Sequence, residues 1–319
     1  MKNIWKYLKI VITVGIIGYF IYYFYNNRAD LLVVLQISPK YLLVIFLLYT
    51  LAFFINGIFI KIILKSFKKT LPIFESFYIS IISSLGNYFL PMRGGAAIRS
   101  VYLKKKFDFP YSHFVSTLYG NYIIVFLVSS FIGLLSLILI DIKYSVSSIP
   151  LYLFFGGLFV VMLVLSLVKF PLEKIKEPKR KFFGKVVGIV KNILKGWNII
   201  VDDKELLFSL IGLTVVNIFV TNVLFYVQFR ALNIDVNLLN TVLYNALSSV
   251  SLLVSITPGS LGIREGIFSI TSDILGITNE QIMQLALLDR GVSVIVLVVL
   301  FVVLWVGRKV VDKKIVSEK

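Results

Sequence analysis

The sequence predicts an all-α polytopic membrane protein, with about six full transmembrane helices and two re-entrant helical hairpins in an inverted repeat. Three observations predict it. Hydrophobic residues form 58% of the 319-residue chain and mean hydropathy is +0.92, more apolar surface than a water-soluble domain this size can hide. Several apolar runs reach the ~20 residues that cross about 30 Å of hydrocarbon. The 33 Lys and Arg residues, against 16 Asp and Glu, gather in short segments beside those runs, as orientation signals do.

Full spans are expected at roughly 8–25, 41–64, 113–140, 149–170, 206–229 and 281–307. The first follows Lys2, Lys6 and Lys9 and lacks a small-residue cleavage site, so it reads as an uncleaved span. Two further apolar stretches, 73–90 and 240–257, run into Pro91 and Pro258 and then into glycines. Proline removes a helix hydrogen bond and clashes with the preceding turn, so neither stretch continues as one straight helix. Shorter amphipathic segments follow, at 95–104 and 262–276.

Loop charges decide how these broken stretches run. Lys2, Lys6 and Lys9 put the N-terminus in the cytoplasm, and the next cytoplasmic loop carries Lys65, Lys68 and Lys69. A full crossing at 73–90 would export Arg93, Arg99 and Lys104–Lys106, against the orientation rule. A dip and return keeps them inside. The same treatment of 240–276, now entering from outside, returns Arg308, Lys309, Lys313 and Lys314 to the cytoplasm. N- and C-termini are then both cytoplasmic, in the cell membrane.

The unit span, hairpin, span thus occurs at about 41–140 and again at 206–307 with opposite orientation, inside a single membrane domain covering 1–319. Inverted repeats with discontinuous helices place a ligand site between the repeats. Pro91 and Gly95 recur at equal spacing as Pro258 and Gly262. The connector, about 171–204, is basic. Within it 181–198 sets Lys181, Lys185, Asn192 and Lys195 on one face, largely opposite Phe182, Phe183, Val186, Val190, Ile193 and Trp197. It reads as an amphipathic helix in the headgroup plane.

Other function classes fall away. There is no cysteine, and His113 has no companion at ligand spacing, so no metal and no cofactor is expected. The basic charge is explained by topology and anionic lipid, not by nucleic acid. No nucleotide loop or nucleophile–base pair stands out, so the chain reads as a non-enzyme.

Charge at membrane depth is costly and marks a cavity or a pair. The first break offers Asn87, Arg93, Gly95 and Arg99; the second offers Gly259, Gly262, Arg264 and Glu265. Asp289 and Arg290 lie inside the last span, Asn217 in the span at 206–229 and Asn121 in that at 113–140. Each break exposes helix amides that attract anions, and arginine forks match phosphate oxygens. Such a set suits a lipid phosphate whose tails stay in the bilayer, with Arg93, Arg99, Glu265 and Arg290 converging on one cavity. Two other readings stay open: the four charges from Arg264 to Arg290 neutralise one another as structure, or Glu265 or Asp289 is a proton-coupling carboxylate.

Leu90-Pro91-Met92-Arg93-Gly94-Gly95 with Arg99, and Pro258-Gly259-Ser260-Leu261-Gly262-Ile263-Arg264-Glu265 with Arg290, resemble the lysylphosphatidylglycerol synthase transmembrane (flippase-like) family. The likeness spans about 40–307. In that family a glutamate commonly follows the second glycine of the first motif, where this chain has Ala96, and an arginine commonly stands where the span at 113–140 has Gly120 and Asn121. The resemblance implies a domain that moves or presents anionic or aminoacylated phospholipids or lipid-linked sugars. The first expectation is a flippase-like transporter. The alternative is a non-catalytic subunit presenting lipid to a separate glycosyl- or aminoacyl-transferase. With Lys319 as the last residue, no transferase domain is expected in the chain itself.

Overall fold

The computed structural model describes residues 33–90, 93–169, 171, 181–254 and 257–317, and among them every regular element is helical. The expected span at 8–25, and Pro91, lie outside the described residues. The α-helices are α1 (Pro39–Ser66), α2 (Ile73–Phe89), α3 (Gly94–Phe107), α4 (Tyr111–Tyr144), α5 (Ile149–Leu167) and α6 (Lys181–Asp202), followed by α7 (Lys204–Ala231), α8 (Leu238–Val250), α9 (Ile263–Ile270), α10 (Ser272–Leu275) and α11 (Asn279–Ser317). Five are long and apolar enough to cross a membrane: α1, α4, α5, α7 and α11 over Asn279–Gly307. They fall on the spans expected at 41–64, 113–140, 149–170, 206–229 and 281–307.

Local chemistry sets the boundaries. Pro39 and Pro150 occupy the first turns of α1 and α5, where a missing N–H costs nothing. Asp203 caps α7 by accepting from the Leu206 amide at 2.9 Å, and Asn237 caps α8 through the Asn240 amide at 2.9 Å. The second broken stretch departs from expectation. α8 stops at Val250 and passes into a 3₁₀ turn, Ser251–Val254, well before Pro258. Ser251 donates to the Ser248 carbonyl at 2.6 Å, one of the local bonds by which serine competes with a helix ladder. The segment expected at 262–276 is itself divided at Thr271, whose hydroxyl donates to the Ile267 carbonyl at 2.9 Å.

Contacts between helix ends gather the basic segments at one end of the bundle. Ser66, closing α1, donates to Asp203 at 3.1 Å; Phe67 packs on Phe109 and His113 at the start of α4. Lys169, after α5, pairs with Asp202 at the end of α6, and Gly307 of α11 faces Phe74 of α2. At the other end Asp141 meets Tyr152, Arg230 meets Asp235 at 2.9 Å, and Asn240 donates to the Leu275 carbonyl at 3.0 Å. α2 therefore starts at the basic end and α8 at the opposite one. α6 lies against α4, where Ser116 donates to the Ile193 carbonyl at 2.8 Å and Trp197 and Ile200 are buried.

The long helices pack reciprocally. α1 lies against α7; α4 packs on α8, and α11 packs on α2. A shared apolar core runs through α1, α2, α4, α7, α8, α9 and α11, with Tyr244 stacked on Phe268 at 3.9 Å between ring centres. α5 is the least buried of the five long helices and packs on α4.

α2 and α3 touch backbone to backbone. Gly86 faces Gly95, and a methyl group at Gly95 would overlap the Ser83 carbonyl oxygen. Gly95→Ala is therefore expected to cost at least about 1–3 kcal/mol, because no flexible side chain can yield. Gly157→Ala on α5, with nothing within 4 Å of the added carbon, should be neutral. Thermal unfolding of detergent-purified protein followed by fluorescence-detected size exclusion checks both.

Candidate functional site

The second break holds a buried charged network. Pro258–Ser260 forms a single 3₁₀ turn with Gly259 at φ +59°, and Gly262, at φ +81°, precedes α9. Those angles suit glycine, and a side chain at Gly259 would also crowd Arg290 and Tyr88. The Gly259 carbonyl accepts from the Arg290 guanidinium at 2.9 Å, tying the turn to α11. Arg290 also donates to Glu265 at 2.6 Å, and Glu265 in turn accepts the Gly262 amide at 2.8 Å. Arg264 donates to Asp289 at 2.7 Å and stands 3.8 Å from Glu265.

Two acids and two arginines thus form one chain of contacts, with side chains only 6–16% exposed. Tyr49 of α1 donates to the Asp289 carboxylate and Gln228 of α7 reaches the same oxygen at 3.3 Å. At 1.5 Å rise per residue, Asp289 lies about 15 Å along α11 from Asn279, and Tyr49 about 15 Å along α1 from Pro39. Both residues thus lie well inside the long apolar helices rather than at their ends.

The first break is built differently. Arg93 sits in the left-handed region at φ 55°, ψ 49°, immediately before α3. Its guanidinium lies 4.8 Å from the centre of the Tyr122 ring on α4. Arg99, one and a half turns into α3, lies 5.2 Å from the centre of the Phe114 ring. Neither arginine has a carboxylate within 4 Å among the described residues. Arg99 and Asn121 line a cavity of about 30 Å³, large enough for a water molecule. The Arg99 Nε and the Asn121 Oδ1 are buried there without a hydrogen-bond partner.

Several expectations change at this point. The helix amides at the breaks are not bare: Asn87 accepts the Gly95 amide at 3.1 Å, and Glu265 takes that of Gly262. Buried N–H groups need partners, and both hairpins carry one in their own sequence. Among the described contacts, Arg93 and Arg99 rest on rings of α4, whereas Glu265 and Arg290 bond each other. They form two groups joined through α2, where Asn87 holds the start of α3 while Tyr88 packs on Gly259 and bonds Ser293 at 2.6 Å. Asn217 stands apart. Its carbonyl accepts from Thr221, which bonds Asn245 of α8, and its own Oδ1 is buried without a partner.

Tyr49, Tyr88, Gln228, Tyr122 and Ser293 complete both groups and were not among the expected residues. The available signal was a lone amide or phenol inside an apolar span, as at Gln228 and Tyr49.

Broken helices, long apolar helices and charge held inside the bundle define a multi-pass membrane protein built around an intramembrane polar site. The family model for the lysylphosphatidylglycerol synthase TM region matches residues 7–300, and the chain belongs to that family. No curated protein matches the chain. Membership marks a membrane protein of lipid modification or transport.

Breaking one buried pair strands the other charge, which costs about 3–5 kcal/mol. Glu265→Gln and Arg290→Gln are each expected to lower the thermal midpoint clearly. The double variant should lose less than the sum of the two, because both charges then leave together. A thermal double-mutant cycle on purified protein measures this.

Proposed function

We propose that this protein is a flippase-like transporter that takes the anionic headgroup of a membrane lipid at the first helix break and carries it across the bilayer. One observation carries the reading. The four charges of the second break compensate one another, whereas Arg93 and Arg99 bring two cations to membrane depth with no carboxylate among the described residues. Uncompensated charge in that setting is expensive, and a phosphate or carboxylate ligand removes the expense. Arg93 also sits in a left-handed conformation that costs a non-glycine residue about 1–2 kcal/mol, a local strain of the kind found at ligand sites.

The reciprocal packing of α4 on α8 and of α11 on α2 supports an inverted repeat, α1–α4 against α7–α11, with two hairpins entering from opposite faces. The basic end then faces the cytoplasm of a cell membrane. Candidate cargoes are anionic or aminoacylated phospholipids and lipid-linked sugars, which share the phosphate that two arginines recognise. The role is that of a carrier rather than an enzyme, since moving a phosphate lipid breaks no bond. The self-compensated second break serves as the fixed half of the site, tying α9, α11, α1 and α7 together.

Proteoliposomes containing fluorescent phosphatidylglycerol, quenched from outside with dithionite, test this directly. Wild-type protein should expose the inner-leaflet pool. Arg93→Gln and Arg99→Gln should each slow it roughly tenfold or more, the worth of a charge-assisted hydrogen bond. Unchanged rates in both variants would overturn the reading. If the wild type moves no lipid but retains it in native mass spectra, and Arg99→Gln loses it, the protein presents lipid to a separate transferase instead.

A further inference from the structure

We infer a second lipid site along α3, beside its seam with α2: an open apolar groove that takes one acyl chain of an anionic phospholipid, with Lys105 at its basic end holding the phosphate. The groove has a volume of about 870 Å³ and is lined by Leu90, Gly94, Ala97, Ile98, Val101, Tyr102, Lys105 and Lys106. These positions recur at helical spacing, so the groove is one continuous stripe of α3 and not a chance hollow between loops. α3 packs mainly on α2, and the groove runs beside that seam: Ile98 approaches Gly86, while Tyr102 and Lys106 reach Glu75 of α2.

The dimensions fit one leaflet. From Gly94 to Lys106 the helix rises about 18 Å, against about 15 Å for half of a 30 Å hydrocarbon layer. The apolar part starts at the hairpin tip and ends in charge where α3 reaches the basic end of the bundle. Charge selects the occupant. Lys104 pairs with Asp108 at 2.5 Å and Lys106 with Glu75 at 2.7 Å, whereas Lys105 has no carboxylate within 4 Å among the described residues. One exposed cation at the end of an apolar stripe complements a headgroup phosphate. The chain's own segment 8–25 is the competing apolar occupant. It carries Lys2, Lys6 and Lys9 at its head, which would set like charge against Lys105.

The two breaks differ at the same register. Counting from Pro91 and Pro258, the positions of Arg264 and Glu265 correspond to Ala97 and Ile98. The second hairpin spends that register on an internal ion pair; the first spends it on the floor of the groove. This site needs no transport and stands apart from the arginines that face α4.

The chain has no cysteine, so single-site chemistry is clean. Full-length protein in nanodiscs is labelled with a phosphatidylglycerol bearing a diazirine in its acyl chain, or with the matching phosphatidylcholine, and cross-linked positions are read by peptide mass spectrometry. Labelling at Ala97, Ile98 and Val101 should favour phosphatidylglycerol about fivefold, and Lys105→Gln should abolish that preference while leaving total labelling. Arg99→Gln should leave it intact even where it stops transport. Equal labelling by both lipids in the wild type would overturn the site and leave the transport reading standing. So would efficient disulfide formation between Val101→Cys and any one cysteine placed along 10–25.

Discussion

Charge cannot stay uncompensated inside hydrocarbon, and the architecture of this bundle follows from where that rule is met and where it is left open. Arg264, Glu265, Asp289 and Arg290 meet it among themselves, with Tyr49 and Gln228 supplying the remaining bonds to Asp289. Because those groups come from α9, α11, α1 and α7, satisfying the charges also fixes four elements against one another. The 3₁₀ turn at Gly259 is held by the same arginine that holds Glu265. A network of this kind adds little net stability over a well-packed apolar core, yet it penalises any arrangement that separates its members. It acts as a register lock.

The first hairpin keeps the geometry and omits the lock. Its helix start is capped by an amide, Asn87, where the second hairpin uses a carboxylate, Glu265. Its arginines rest on aromatic faces, a weaker arrangement than pairing with a carboxylate. Ala96 offers no charge there, and no described carboxylate lies within 4 Å of either arginine. The two breaks thus hold their charges in different ways.

The long helices were readable because windows of 18 residues with high mean hydropathy have few alternatives, and α1, α4, α5, α7 and α11 all fall where hydropathy puts them. The broken stretches were readable as breaks, through Pro258 and its glycines, but not in detail. α8 ends at Val250 because serine side chains bond locally, a competition that hydropathy does not register. In the site, Arg264, Glu265, Asp289 and Arg290 could be named because charge in an apolar run is conspicuous. Which pairs with which depends on helix rotation, which a span of mean apolarity leaves undetermined. Tyr49, Gln228 and Tyr88 escaped notice for the same reason, since an isolated phenol or amide resembles ordinary membrane composition.

The contact of Gly86 and Gly95 has a mechanical side. With backbone pressed on backbone, α2 and α3 have no layer of side chains between them to deform, so together they form a stiff double rod of fixed thickness. Both of its junctions with the spans turn through left-handed, non-glycine residues, Lys68 at φ 57° before α2 and Asp108 at φ 48° after α3. Such conformations are held by their surroundings rather than preferred by the chain. The hairpin thus meets the spans at two short corners at the basic end, with Arg93 at its far end.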